Sequence, residues 1–340
     1  MTDVQRIEDA NRAFRAVDYR YGGGACHDAV VSYLPWGLGM LGAYATDLVT
    51  DRLCVAVADL HNLAGWTSFD TGRVRVARSH FGHALELAKQ GHDDALVANI
   101  LYRMGRVHLH HNALDEALRE FQLGQVAAQV AGSALAVAIL YANQAWASAK
   151  MGLDDEALAL LGRSRDEFAR ADPAGAPVWA RFFTETDMSA MAGTVYTELA
   201  LTVAPTYTRS AIPALSRAID GYSQDMTRSR SFNLIMLATN HLLEDDIDHA
   251  ATVGVQAVAL AESVKTARTK DRLRPLKREA DKRRDSADAS ALSERIATFT
   301  ATEAGCCWTS AARPPQPCTS SCGSPCERVW RPPIPPVQAA

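Results

Sequence analysis

Small and large apolar side chains return along this chain at a fixed step of 40 residues. Gly65, Ala77, Phe81 and Ala84 are followed by Gly105, Ala117, Phe121 and Gly124, and these by Ala145, Ala157, Leu161 and Ser164. Small residues at the first two positions let antiparallel helices approach closely, and the large third residue fills the gap to the next pair. One step is therefore one helix hairpin. Its second helix is clearest in the phrase Leu114-Asp115-Glu116-Ala117-Leu118, with Phe121, Gln125 and Ala128 following at helical spacing. Acidic residues at its start suit the positive end of the helix dipole. Leu153-Asp154-Asp155-Glu156-Ala157-Leu158 repeats the phrase after a turn at Met151-Gly152. Ala211, Leu215 and Ala218, then Ala250, Gly254 and Ala257, continue it more loosely at a step of 39 residues.

The pattern predicts an all-α chain of stacked antiparallel helix hairpins. An N-terminal helical cap or leader takes residues 1–50 and the repeat domain 51–300, with units near 58–91, 98–131, 138–171, 190–222 and 232–265 and capping helices over 270–299. Two prolines in Asp172-Pro173-Ala174-Gly175-Ala176-Pro177 break any helix there and predict an extended connection, a loop or hinge. From Ala301 onward eight of the chain's 14 prolines crowd into 40 residues without helical periodicity, which predicts a disordered tail. So foreign a composition also raises the expectation of translation out of frame.

With Gly65/Ala77/Phe81/Ala84 and Gly105/Ala117/Phe121/Gly124 in register, the chain resembles the tetratricopeptide repeat family, although its period is near 40 rather than 34 residues. The resemblance implies a right-handed superhelical stack, an α-solenoid, with the first helix of each hairpin lining an inner groove. Arg6-Ile7-Glu8, Tyr19-Arg20-Tyr21-Gly22-Gly23-Gly24, Leu60-His61-Asn62-Leu63-Ala64-Gly65-Trp66 and Asp271-Arg272-Leu273-Arg274-Pro275-Leu276 are more particular. Together they look like the C-terminal sensor region of actinobacterial helix-turn-helix transcription regulators, over roughly residues 4–300. Too few residues precede Tyr21 for a DNA-binding domain, so a headless relative or a truncated reading frame is the expectation.

If that geometry carries over, the groove positions are Asn62, Trp66 and Phe69 in the first unit, Asn99, Tyr102, Arg103 and Arg106 in the second, and Asn143 and Trp146 in the third. Asn can hold a peptide backbone through both halves of its amide, Arg can grip a carboxylate with two hydrogen bonds, and Trp offers flat apolar area. The same Trp66, Phe69 and Trp146 serve equally well as core between repeats. The function expected is that of a regulatory scaffold binding a peptide or protein partner, with a homodimer as one arrangement in which it acts.

Composition adds exclusions. The net charge of −4, from 35 basic and 39 acidic residues, gives no global attraction to nucleic acid or anionic membrane, so direct DNA binding is not expected of the chain as a whole. The alternative is local: residues 265–284 hold ten Lys or Arg against three acids, either a solvated helix capping the stack or a phosphate-contacting patch. The mixed, acidic start resembles no secretory signal, and the longest apolar run, Ala134 to Ala142, is half a membrane span. A cytoplasmic protein follows. Five of seven cysteines (Cys306, Cys307, Cys318, Cys322, Cys326) lie in the tail, at spacings that fit neither zinc ribbons nor iron-sulfur runs. No phosphate-loop, dinucleotide, HExxH or GxSxG motif occurs. The Gly22-Gly23-Gly24 run reads as a flexible turn, and His108 and His111, at i, i+3 on a helix, lack the partners of a ligand set. No catalytic residue, metal or cofactor is expected.

Overall fold

The computed structural model describes residues 2–264 and 268–301. Among them there is no strand. The helices are α1 (Thr2–Tyr21), α2 (His27–Met40), α3 (Asp47–Asp70), α4 (Val74–Gln90), α5 (Asp94–His110), α6 (Leu114–Val130) and α7 (Ala134–Lys150). They continue with α8 (Asp154–Arg170), α9 (Glu185–Thr202), α10 (Thr208–Gly221), α11 (Thr227–Leu243), α12 (Ile247–Glu262), α13 (Arg268–Asp281) and α14 (Ala287–Ala301). The most extensive packing joins consecutive helices, α3 with α4, α5 with α6, α7 with α8, α9 with α10 and α11 with α12. Among the described residues no helix is long and apolar enough to cross a membrane.

The 40-residue step has a finer origin than the apolar pattern alone reveals. Helices α4 to α8 are each 17 residues long, and the turns before and between them place one left-handed residue every 20 positions, at Gly72, His92, Asn112, Gly132 and Gly152. After each comes a backbone bond that closes the preceding helix: Arg73 N–H donates to Ser68 O, Asp93 to Ala88, Ala113 to His108, Ser133 to Ala128 and Leu153 to Ser148. This is the Schellman closure, which satisfies carbonyls that a helix end otherwise leaves bare. Two such half-steps make a hairpin.

Inside the hairpins the glycines mark contact. A Cβ at Gly65 would sit 2.7 Å from the Phe81 ring, and one at Gly105 would collide with the Phe121 ring still more closely. Phe81 and Phe121 are fully buried. In the third hairpin the same positions hold Ala145 and Leu161, also fully buried. A larger first residue is thus matched by a smaller third one. Gly193 meets Leu215 in the fourth hairpin, although the spacing there differs from 65/81.

Three expectations change. The segment 171–184 is non-helical but not extended: it winds through successive turns and buries Ala176, Trp179, Ala180 and Phe183. Trp179 donates from Nε1 to Ala95 O (2.9 Å) and stacks on Tyr102 at 5.9 Å between ring centres, so apolar residues following the prolines pull the connection inward. The glycine run is not a flexible turn. Gly23 opens a short 3₁₀ turn against α3, where its N–H donates to Asp70 Oδ2 (3.1 Å) and any Cβ would stand 2.8 Å from Asp70 Cβ. Finally, α3 begins at Asp47, so the boundary drawn at residue 50 falls within its first turn. The expectations for the Pro- and Cys-rich tail beyond Ala301 lie outside the described residues.

Candidate functional site

The first helices of successive hairpins face one interior, and α1 and α13 reach it as well. Asp18 and Tyr19 from α1, Trp66 from α3, Arg103 and Arg106 from α5, Asn143 and Trp146 from α7, Thr194 from α9, Arg228 and Phe232 from α11, and Arg268 and Arg272 from α13 all line a single cavity of about 220 Å³. This departs from an open groove. The basic segment, expected to be solvated, supplies part of the wall: Arg268 is buried and Arg272 half-buried, because apolar Leu273 and Leu276 seat α13 against α11. Of the remaining cations described there, Lys277 and Arg284 pair with Asp281, Lys282 and Arg283 with Glu279, and Arg274 with Asp271. Lys265 lies outside the described residues.

Seven of the nine expected groove residues line this cavity: Trp66, Asn99, Tyr102, Arg103, Arg106, Asn143 and Trp146. Phe69 lines a neighbouring cavity of about 120 Å³, which shares Arg106, Trp146, Arg268 and Arg272 with the first as a partition. Asn62 lines neither. It is fully buried, donating through Nδ2 to Asn99 Oδ1 (2.6 Å), and its carbonyl receives Arg103 (3.0 Å), so it braces two lining residues instead of facing a ligand. Trp66, Phe69 and Trp146 are at once core and cavity wall.

Guanidinium groups lie over aromatic rings throughout the partition. Trp146 has Arg106 at 4.9 Å and Arg272 at 4.5 Å from its ring centre, and Trp66 has Arg103 at 5.3 Å and Arg268 at 4.6 Å. Each contact joins a cation to the negative face of a π system. Arg106 also donates to Tyr102 Oη (3.2 Å) and Asn143 Oδ1 (3.4 Å). Burial pushes the Arg272 guanidinium down to about 9, with Arg106 adding repulsion, and burial likewise lowers Arg103 and Arg268. All remain charged at neutral pH.

Where the ends of the stack meet, Asp70 on α3 holds Arg268 (2.7 Å) and stands 3.6 Å from Arg228 on α11. Asp18 on α1 is 3.9 Å from Arg228. Burial raises the Asp18 carboxyl, and Arg228 opposes that rise. Nothing in the sequence marked these acids, since an aspartate at a helix end resembles any other.

His108 and His111 do not join a ligand set, and among the described residues no group of His, Cys, Asp and Glu is placed to hold a metal. His110 is the engaged one, with Nε2 2.7 Å from Asp271 Oδ2 of α13 and its ring 5.2 Å from Phe69. A second cluster, also missed, lies between α3 and α4: His61 Nδ1 is 3.1 Å from His80 Nδ1, and the His83 ring centre is 5.4 Å from that of His61. Burial first, then His80 and His83, pushes His61 down to about 4; burial also lowers His80. An unfolded histidine takes up its proton near pH 6.5, whereas the folded His61 refuses it until about 4. Stability contributed by neutral His61 is therefore present above pH 6.5 and is lost as pH falls toward 4, by on the order of 2–3 kcal/mol. Urea denaturation at pH 7.5 and 4.5 checks this, and His61→Asn is expected to flatten the dependence.

No protein-family model matches the chain, and no curated protein matches it in sequence. The site's own geometry therefore carries the functional reading.

Proposed function

We propose that this chain is a non-enzymatic regulatory receptor of the tetratricopeptide type, a right-handed superhelical stack that takes up a peptide among its inward-facing first helices. The observation that carries the proposal is the convergence of Asn99, Asn143, Arg103, Arg106, Trp66 and Trp146 from three successive hairpins on one cavity. Amides, forked cations and flat rings spaced along consecutive helices are the groups that hold a peptide's backbone, carboxylates and apolar side chains. At about 220 Å³ the cavity lies below the roughly 300–1,000 Å³ of common small-molecule sites, so it suits the end of a peptide and not a folded segment.

The receptor acts in the cytoplasm, in keeping with the free buried thiols of Cys26 and Cys54, and needs no cofactor. Its regulatory output, related to transcription, comes from the contacts of α1 and α3 with α11 and α13. Residues of α1 and α3 contact α11 and α13 at the cavity's edge, so an occupant that touches both changes how firmly they hold together.

Selection of a random short-peptide pool on immobilised protein tests the reading. The parent is expected to enrich particular sequences, Asn143→Ala to lose them, and Leu123→Ala, on the exposed face of α6, to retain them. Equal enrichment by parent and Asn143→Ala would remove the cavity as the receptor site.

A further inference from the structure

We infer that the cavity takes a dianion: a ligand with two negative charges, carried as carboxylates or as a phosphate, on a compact apolar body. The inference rests on the receptor reading above and adds the chemistry of what is received.

Five arginines line the cavity, against the carboxylates of Asp18 and Asp187. Asp187 is already committed, accepting from Tyr222 Oη (2.7 Å) and from Thr184 at the start of α9. Even with Asp70 counted from behind the wall, two positive charges are in excess. The excess has an address. Among the described residues no carboxylate forms an ion pair with Arg103, Arg106 or Arg272; their recorded partners are a backbone carbonyl, a phenol, an amide and aromatic rings. Glu198, whose negative charge favours the Arg272 cation, is taken by Trp146 Nε1 (3.1 Å) and Lys150 (3.9 Å).

Guanidinium groups withdrawn from water are costly unless an anion compensates them. Stacking on Trp146 does not use up their donors. A planar guanidinium lying over a ring keeps its N–H edge free, and the fork of that edge matches two oxygens of a carboxylate or phosphate. Arg106 and Arg272 flank the same tryptophan from different helices, so one anion reaching both ties α5 to α13. The surrounding rings, including the stacked Tyr102 and Trp179, receive the apolar body.

Calorimetric titration of the full chain with three probes tests this: N-acetyl-Phe-Glu with two carboxylates, N-acetyl-Phe-Gln amide with no charge, and phenyl phosphate. Binding of the first or third, without the second, is the expected result; the acidic dipeptide alone assigns carboxylates and phenyl phosphate alone assigns a phosphate. Arg272→Gln is expected to weaken that binding at least about tenfold through loss of a charge-assisted pair. Without ligand, this variant should unfold at the parent's temperature or above it, because an uncompensated charge has been removed. A purely structural Arg272 would show the reverse. Equal binding of the neutral dipeptide, abolished by Asn143→Ala, would overturn the dianion and leave the receptor reading standing. Absence of binding by every probe, or unchanged affinity in Arg272→Gln, would also overturn it, and the peptide-pool selection then decides the receptor reading separately.

Discussion

Replacing Phe121 by alanine is expected to lower the free energy of unfolding by about 3–5 kcal/mol, as read from urea denaturation. The side chain is fully buried, and its ring lies directly over the bare backbone of Gly105. Truncation therefore opens a void that a rigid helix pair cannot collapse to fill. The opposite intrusion, Gly105→Ala, pushes a methyl into the same ring and is expected to cost about 1–3 kcal/mol. The two sites should not behave independently. Gly105→Ala combined with Phe121→Leu recreates the Ala145 and Leu161 pair of the following hairpin, and the double variant is expected to be more stable than Gly105→Ala alone.

The second large effect belongs to Asp70. Asp70→Asn preserves shape but removes the charge that Arg268 contacts at 2.7 Å and Arg228 at 3.6 Å. Breaking a buried ion pair from one side leaves the other charge without compensation, so about 3–5 kcal/mol of stability is expected to vanish in the same assay. Glu8→Gln supplies the contrast. Glu8 meets Arg52 at 2.7 Å, but both side chains are partly exposed, and the loss there is expected to stay below about 1 kcal/mol. Comparable losses from both variants would mean that water reaches Asp70.

The legible and illegible parts of this molecule separate by the distance over which their causes act. Gly65 with Phe81 and Gly105 with Phe121 could be paired from spacing because each contact forms within one hairpin, where 16 residues of helix and turn fix the geometry. The turns were half-visible. Gly132 and Gly152 announce a left-handed residue, while His92 and Asn112 fill equivalent positions at 20-residue intervals without a glycine to betray them. The meeting of α3 with α13 could not be read at all, since it depends on how every intervening hairpin packs on the next. For that reason Arg268 and Arg272 looked like members of a solvated charge run. Their placement beside Trp66 and Trp146 is set by Leu273 and Leu276 on the same helix, residues whose burial a run of ten cations conceals. Likewise Asn62 and Asn99 both stand on first helices of consecutive units, where the 40-residue step aligns Asn62 with Tyr102, and their mutual hydrogen bond leaves only Asn99 facing the cavity.

Contact of α3 with α11 and α13 also bears on how such a protein can change over generations. An array with free ends tolerates duplication or deletion of a module, because each new copy needs only its neighbours. Here one module more or fewer would carry Arg268 away from Asp70 by about the 8–10 Å that separates packed helices, stranding charges on both sides. Electrostatics at this contact therefore opposes a change in copy number, whereas substitution elsewhere within the existing modules leaves the contact intact.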